Sequence, residues 1–229
     1  MDDRILIVED DREIAELLEF YLRNEGFEVF KFIYAAEALD FTERERVDLA
    51  LLDIMLPDME GFSLCRRLRE KHSFPIIMLS VRSTASDKVL GLACGADDYV
   101  TKPFDPVELA ARVKAQLRRY KKYSGPAKDS QLRVGSISQY SDKHTCFVNG
   151  MLTELTPTEF KLLYILCRRK GETVSSEELF HELWGEEYFC KSTNPIPVHI
   201  RHIREKIGDS YENPRYIKTV WGVGYKIEG

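Results

Sequence analysis

Five residues far apart in the chain carry side chains that suit one reaction. Glu9 and Asp10 follow the apolar run Ile5-Leu6-Ile7-Val8, and Asp53 ends the run Leu49-Ala50-Leu51-Leu52. Ser80 follows Ile76-Ile77-Met78-Leu79, and Lys102 follows Tyr99-Val100-Thr101. If these runs are parallel strands of one sheet, three carboxylates, a hydroxyl and an ammonium meet at a single edge. Two unit charges about 4 Å apart repel by about 4 kcal/mol at an effective dielectric of about 20, so such carboxylates need a cation. Hard oxygen ligands at an open edge suit Mg2+. A carboxylate beside that metal can attack phosphorus and form an acyl phosphate. The Lys102 ammonium and the Ser80 hydroxyl can pair with phosphoryl oxygens. Taken one at a time, each acid reads as a strand end or a helix cap; the five together do not.

The elements that must position these groups follow from periodicity. Strands are predicted over 4–8, 27–31, 48–52, 75–79 and 97–101, and helices over 12–24, 35–45, 61–71, 85–94 and 105–121. Strand runs with little alternation are buried on both faces. Five strand-then-helix units make a doubly wound α/β sheet, which binds ligands at the carboxyl ends of its strands. Residues 122–130 lose apolar periodicity and read as a polar linker. Beyond it the pattern changes. Strand-like runs at 132–138, 144–149 and 151–155 flank the turn dipeptide Asn149-Gly150. Thr156-Pro157-Thr158-Glu159 has the form of a capping box with proline at the first helical position. Helices near 157–169, 175–184 and 195–207 precede a hairpin over 216–227 with the glycine-rich tip Trp221-Gly222-Val223-Gly224. That order is a winged helix-turn-helix.

Composition limits the alternatives. No apolar run approaches the roughly 20 residues of a membrane span, and Met1-Asp2-Asp3-Arg4 does not begin like a signal peptide. A cytoplasmic protein is expected. Cys65, Cys94, Cys146, Cys167 and Cys190 form no C-x-x-C pair, which argues against a zinc ribbon or a disulfide framework. The net charge is −5. Residues 1–130 carry 20 Lys and Arg against 25 Asp and Glu, and hold all of it. Residues 191–229 carry seven basic and four acidic side chains, a local +3 that fits a nucleic-acid surface.

At 100° per residue, Ile196, Ile200, Ile203 and Ile207 form the core stripe of helix 195–207. Asn194, Val198, Arg201, His202 and Glu205 fall on the opposite side. Pro197 and Arg204 flank one edge; His199 and Lys206 flank the other. Such a helix fits a major groove, its face reading bases and its flanks holding phosphates. His199 and His202 have no acid or cysteine spaced to complete a metal site.

Residues 1–121 resemble a response-regulator receiver domain, with the flavodoxin-like (βα)5 fold. The resemblance rests on Glu9-Asp10, Asp53 with Pro57 and Gly61, Ser80, Gly95-Ala96-Asp97-Asp98-Tyr99 and Lys102-Pro103-Phe104. It implies that Asp53 accepts phosphate from a sensor histidine kinase in the membrane. It also implies that Glu9, Asp10, Asp53 and the Met55 carbonyl hold Mg2+, that Tyr99 turns inward as Ser80 follows the phosphoryl group, and that the Lys102–Pro103 bond is cis. Residues 131–229 resemble the effector domain of OmpR/PhoB-type transcription regulators. The shared segments are Leu155 to Phe160, Trp184-Gly185, Val198 to Arg201 and Thr219 to Tyr225. Within that family, Ala115–Lys122, Val198–Lys206 and Tyr216–Ile227 are similar to VanR-type regulators of glycopeptide resistance.

The implied partners are double-stranded promoter DNA, a second copy of the chain when phosphorylated, and RNA polymerase. The DNA contacts carried over are Asn194, Val198, Arg201, His202, Arg204, Lys206, Thr219 and Trp221. Family dimers form through the fourth helix, fifth strand and fifth helix, which here offer Lys88, Val89, Leu92, Asp97, Asp98, Glu108, Arg112, Lys114 and Arg119. Lys88 with Glu108 and Asp98 with Arg112 can pair across a two-fold axis. Three departures stand out. Ala93 replaces an acid common in the family, leaving Lys114 without its usual partner. Trp221 replaces a wing arginine. Pro195 and Pro197 open the recognition helix, and since a residue before proline disfavours the α conformation, that helix is expected to start a turn late.

The expected function is a phosphorylation-activated transcription regulator rather than an enzyme. A phosphotransfer enzyme of the haloacid-dehalogenase type places a second Asp two residues after the nucleophile, where this chain has Met55. A DNA-binding protein with a purely structural first half has no need for the complete acidic pocket.

Overall fold

A computed structural model describes residues 3–81, 91–121, 131–141, 144–184 and 194–229, except for the side chains of residues 119 and 121. Lys88, Val89, most of helix 85–94, the linker 122–130, Gly185, Cys190, Lys191 and the Arg119 side chain lie outside the described residues. The chain divides into two compact units, Met1–Arg118 and Arg119–Gly229.

The first unit contains strands β1 (Arg4–Val8), β2 (Glu28–Phe32), β3 (Leu49–Asp53), β4 (Ile76–Ser80) and β5 (Asp98–Thr101). They form one sheet in the order β2-β1-β3-β4-β5, every pair parallel. Helices α1 (Arg12–Asn24), α2 (Ala35–Arg44) and α3 (Gly61–Arg69) alternate with the strands. Of α4, residues 91–93 are described, and α5 (Pro106–Lys121) follows β5. Strands β3 and β4 are buried at every position, as their unbroken apolar runs require. Ile5, Ile7, Leu49, Leu51, Ile77 and Leu79 pack under Leu18 and Leu22 of α1 and Leu109, Val113 and Leu117 of α5. The alternate residues Leu6, Ala50, Leu52 and Met78 are equally buried, on the opposite face. Strand order reverses beside β1, so the carboxyl ends of β1 and β3 open onto the crevice where such sheets bind ligands.

Two caps fix the loops at that edge. Asp11 Oδ1 accepts from the Glu13 N–H at 2.9 Å and the Ile14 N–H at 3.3 Å, which makes this acid the N-cap of α1. The N-cap of α2 is Tyr34, which has no side-chain cap of its own. Asp58 supplies it from the loop after β3, accepting from the Ala35 and Ala36 N–H groups at 2.9 Å each.

In the second unit, strands β6 (Gln131–Val134), β7 (Ile137–Tyr140), β8 (Thr145–Val148) and β9 (Met151–Thr153) form an antiparallel sheet. The run predicted as one strand over 132–138 is two strands, broken by a turn at Gly135, whose φ is 56°. Asn149 and Gly150 both take positive φ, as their hairpin turn requires. The capping box of α6 (Pro157–Arg168) is present. The Glu159 N–H donates to Thr156 Oγ1 at 3.3 Å, and the Thr156 N–H donates to Glu159 Oε2 at 2.9 Å. Then come β10 (Val174–Ser175), α7 (Ser176–Trp184), α8 (Ile196–Ile207), β11 (Ile217–Val220) and β12 (Gly224–Ile227). β10 was not foreseen in the sequence. Two residues long, it pairs with β12, and a Cβ on Gly224 would stand 2.1 Å from the Val174 carbonyl oxygen.

The late start expected for α8 does not occur. Ile196 is already helical, with Pro195 at the N-cap and Pro197 within the first turn. The first turn has no intrahelical use for its N–H groups, so Pro197 forfeits no bond there.

Candidate functional site

The carboxyl ends of β1, β3 and β5 bring four of the predicted side chains together. Lys102 Nζ donates to Glu9 Oε1 at 2.7 Å, to Glu9 Oε2 at 2.6 Å and to Asp53 Oδ2 at 2.7 Å. All three side chains are buried, while Asp10 is exposed. Glu9, Asp10 and Asp53 each offer a carboxylate oxygen within 4.8 Å of the others, a spacing that can hold a metal ion. Burial pushes the Glu9 carboxyl up to about 7; the Asp53 charge acts in the same direction and Lys102 against it. Burial also works against the Lys102 charge, but hydrogen bonds to Asp53 and Glu9 outweigh it and raise the pKa of that ammonium.

The backbone completes the pocket. Asp53 Oδ1 accepts from the Met55 N–H at 3.2 Å. Gly61 must be glycine, because a Cβ there would lie 2.0 Å from the Asp53 carbonyl oxygen. Ser80 is fully buried at the end of β4, and its carbonyl accepts from the Lys102 N–H at 2.7 Å. The Lys102–Pro103 bond is cis. The half-buried Tyr99 ring lies over Gly91, where a Cβ would stand 2.6 Å from Tyr99 Cδ2.

On α8 the predicted apolar stripe is the core, with Ile196, Ile200, Ile203 and Ile207 all buried. Arg201 is exposed on the opposite side and pairs with Glu205 at 2.8 Å; Val198 and His202 are half-buried. The flanks differ from expectation. His199 is 1% exposed, its ring 5.6 Å from Trp184. Arg204 is 4% exposed and donates from Nη2 to the Ile217 carbonyl at 2.6 Å and to Thr219 Oγ1 at 3.0 Å. Arg204, expected as a phosphate contact, is an internal cross-link to β11 in this structure. A helical wheel assigns flanks to solvent, but Trp184 of α7 packs on His199 and β11 takes up Arg204, while Pro197 on the Arg204 edge stays exposed.

Lys206 is partly drawn inward as well, with Nζ 2.6 Å from Glu159 Oε2. Burial works against the Glu159 charge, but Lys206, the Thr156 N–H and His199 outweigh it and hold the carboxyl below its ordinary value. Asn194, one residue before the Pro195 N-cap, accepts on Oδ1 from the Ile196 N–H at 3.0 Å, which occupies one of its polar atoms. Trp221 projects from the wing tip at 82% exposure.

Residues 5–114 match the model of the response regulator receiver domain, and residues 150–227 that of the C-terminal domain of transcriptional regulatory proteins. The regulatory protein VanR of Enterococcus faecium is 56% identical, and VanRc of Enterococcus gallinarum 45%, each over the whole of both chains. Among solved structures, DrrB, an OmpR/PhoB homologue of Thermotoga maritima, is 34% identical over the whole of both chains with a TM-score of 0.51. A RitR mutant is 28% identical with a TM-score of 0.67, covering 99% of this chain and 100% of the other. This chain is a response regulator of the OmpR/PhoB family. It is a phosphorylation-dependent transcription regulator with a kinase partner and DNA as its target.

Several residues carried over to the regulator's dimer face have partners inside the chain. Asp97, expected at the interface, is buried and forms half of an internal ion pair, accepting from Arg69 Nη2 at 2.7 Å and from the Ile76 N–H at 3.0 Å. Leu92 is buried too. Arg112 reaches Glu108 at 2.8 Å and Asp98 at 3.2 Å on its own chain. Lys114, whose usual family partner is replaced by Ala93, pairs with Glu25 of α1. The supporting roles of Asp58, Arg69 and Glu25 have no local sequence signal, because each partner lies more than twenty residues away. Among the described residues, no helix is long and apolar enough to cross a membrane.

Proposed function

We propose that this regulator takes a phosphoryl group from a membrane sensor histidine kinase onto Asp53, dimerises, and controls the promoter of a vancomycin-resistance operon. The observation that carries the reading is the Lys102 ammonium held between Glu9 and Asp53 at the carboxyl edge of the sheet. Hard carboxylate oxygens on Glu9, Asp10 and Asp53 fit Mg2+, and the family resemblance adds the Met55 carbonyl as a further ligand. When bound, that ion supplies neutralising charge for the phosphoryl oxygens.

The chain's own groups do the rest. An Asp53 carboxylate oxygen attacks phosphorus, the bond from phosphorus to the kinase histidine nitrogen breaks, and the imidazole leaves with that electron pair. Lys102 then transfers from the Asp53 carboxylate to a phosphoryl oxygen, and the Ser80 hydroxyl donates to another. Tyr99, on the neighbouring strand two positions before Thr101, the register partner of Ser80, follows that movement. The changed face of α4, β5 and α5 presents Asp98, Glu108, Arg112 and Lys114 to a second copy. Because Arg112 and Lys114 already have intrachain partners, exchange of partners accompanies pairing, and exposed pairs contribute only about 0–1 kcal/mol each.

In the second unit, Val198, Arg201 and His202 face the major groove, with Asn194, Lys206, Thr219 and Trp221 at its edges. Support for the operon is the identity to VanR across the full chain. The output is a DNA-bound signal to RNA polymerase in the cytoplasm, not a released product. Operator binding and self-association, measured with and without acetyl phosphate in Mg2+ for wild type and Asp53→Ala, test the reading. The wild type should respond and the variant should not. A wild type indifferent to acetyl phosphate rejects it.

A further inference from the structure

We propose that Arg204 is a positioning residue that locks the wing to the recognition helix and presents the Thr219 hydroxyl as a donor to DNA. This inference rests on the reading that α8 and the β11–β12 hairpin form the DNA face. Arg204 leaves the last turn of α8 and is buried, yet it makes no ion pair among the described residues. Its Nη2 donates to the Ile217 carbonyl at 2.6 Å and to Thr219 Oγ1 at 3.0 Å, both on β11. The Tyr211 ring covers the guanidinium, with its centroid 5.6 Å from Arg204 Cζ. A planar, permanently charged group that bonds the Ile217 backbone carbonyl and the Thr219 side chain, two residues apart on one strand, fixes that strand in rotation as well as in distance.

A second bolt lies one turn further along the chain. After the left-handed Gly208, the buried Asp209 carboxylate accepts from the Arg215, Tyr216 and Ile217 N–H groups at 2.6, 3.2 and 2.9 Å. The link between helix and wing is thereby pinned at both ends. The consequence for Thr219 follows from hydroxyl chemistry. An oxygen that accepts from a guanidinium turns its own hydrogen away from that donor. That hydrogen is then available to a phosphate oxygen, which only accepts. Trp221, two residues on at the wing tip, takes its position from the same strand.

The test is a double-mutant cycle in the full chain treated with beryllofluoride. The probe is a short duplex enriched from a random pool on the wild-type protein. The variants are Arg204→Met, Arg204→Lys, Thr219→Val, Trp221→Ala and Arg201→Ala, singly and in pairs. Arg204→Met should weaken binding at least tenfold per folded molecule. In its background Thr219→Val and Trp221→Ala should cost little more, while Arg201→Ala keeps its full effect. Arg204→Lys, which keeps the charge and one of the two bonds, should be intermediate and keeps the test open if Arg204→Met fails to fold. Wild-type affinity in both Arg204 variants, or losses that add fully to those of Thr219→Val and Trp221→Ala, overturns the inference. If Arg201→Ala, Thr219→Val and Trp221→Ala are all harmless, the DNA face itself has been misplaced and the inference falls with it.

Discussion

Lys102 Nζ lies 2.7 Å from Asp53 Oδ2, bridging 49 residues of sequence, and its remaining hydrogen bonds go to Glu9. One ammonium thus neutralises two carboxylates in the place where a divalent cation is expected to act. Replacing it leaves a more negative pocket. Lys102→Met should bind Mg2+ on the order of tenfold more tightly, equivalent to about 1.4 kcal/mol, while losing the dimerisation response to acetyl phosphate. Isothermal titration and sedimentation read the two effects. Weaker Mg2+ binding in the variant would mean that Lys102 does not compete with the ion.

Glu9 makes the pocket sensitive to pH. Burial raises its carboxyl to about 7, and the metal requires the ionised form. Mg2+ affinity should therefore fall as pH drops below about 7, by up to about tenfold per unit. Stability runs in the opposite sense. A carboxyl raised on folding contributes stability that is complete below its unfolded value and is lost as pH rises through about 7. In EDTA, melting curves of wild type and Glu9→Gln should converge in acid and separate near neutrality, with Glu9→Gln the more stable. Parallel curves throughout would contradict the assignment.

Asp97 separates an interface role from an internal one. It is paired with Arg69 at 2.7 Å, and both side chains are almost fully buried. Removing one partner of a buried pair costs about 3–5 kcal/mol. Asp97→Ala should unfold in correspondingly less urea whether or not the protein is phosphorylated. An unchanged midpoint with a weakened dimer would restore the interface reading.

Glu159 and Arg201 predict opposite behaviour in the effector unit. Glu159 caps α6 and holds Lys206 of α8, so Glu159→Ala should cost about 1–3 kcal/mol. Its carboxyl lies below its ordinary value in the folded state. That contribution is present above the unfolded pKa and disappears as pH falls through the folded one, so the variant's deficit should shrink in acid. Arg201, solvent-facing, should leave the melting midpoint unchanged on substitution by alanine, yet weaken operator binding by about 1–3 kcal/mol if it reads a base. Matching losses of stability in the two variants would refute the division.

What the sequence by itself determined is local or periodic. Unbroken apolar runs such as Leu49–Leu52 declared buried parallel strands, and the acids after them marked the reactive edge. The Thr156–Glu159 box and the Asn149-Gly150 turn were legible because each is closed by bonds within three residues. Ile196, Ile200, Ile203 and Ile207 named the core side of the recognition helix. Only the tertiary structure decided what became of the flanks. Arg204 and Arg201 are three residues apart on one helix, yet one is bolted to β11 and the other faces solvent. Asp97 and Asp98 are neighbours, but strand alternation turns one toward Arg69 inside and the other toward Arg112 at the surface. A charge has no address in sequence; it is placed by whichever distant element arrives to cover it, and burying it without a partner costs more than exposing it.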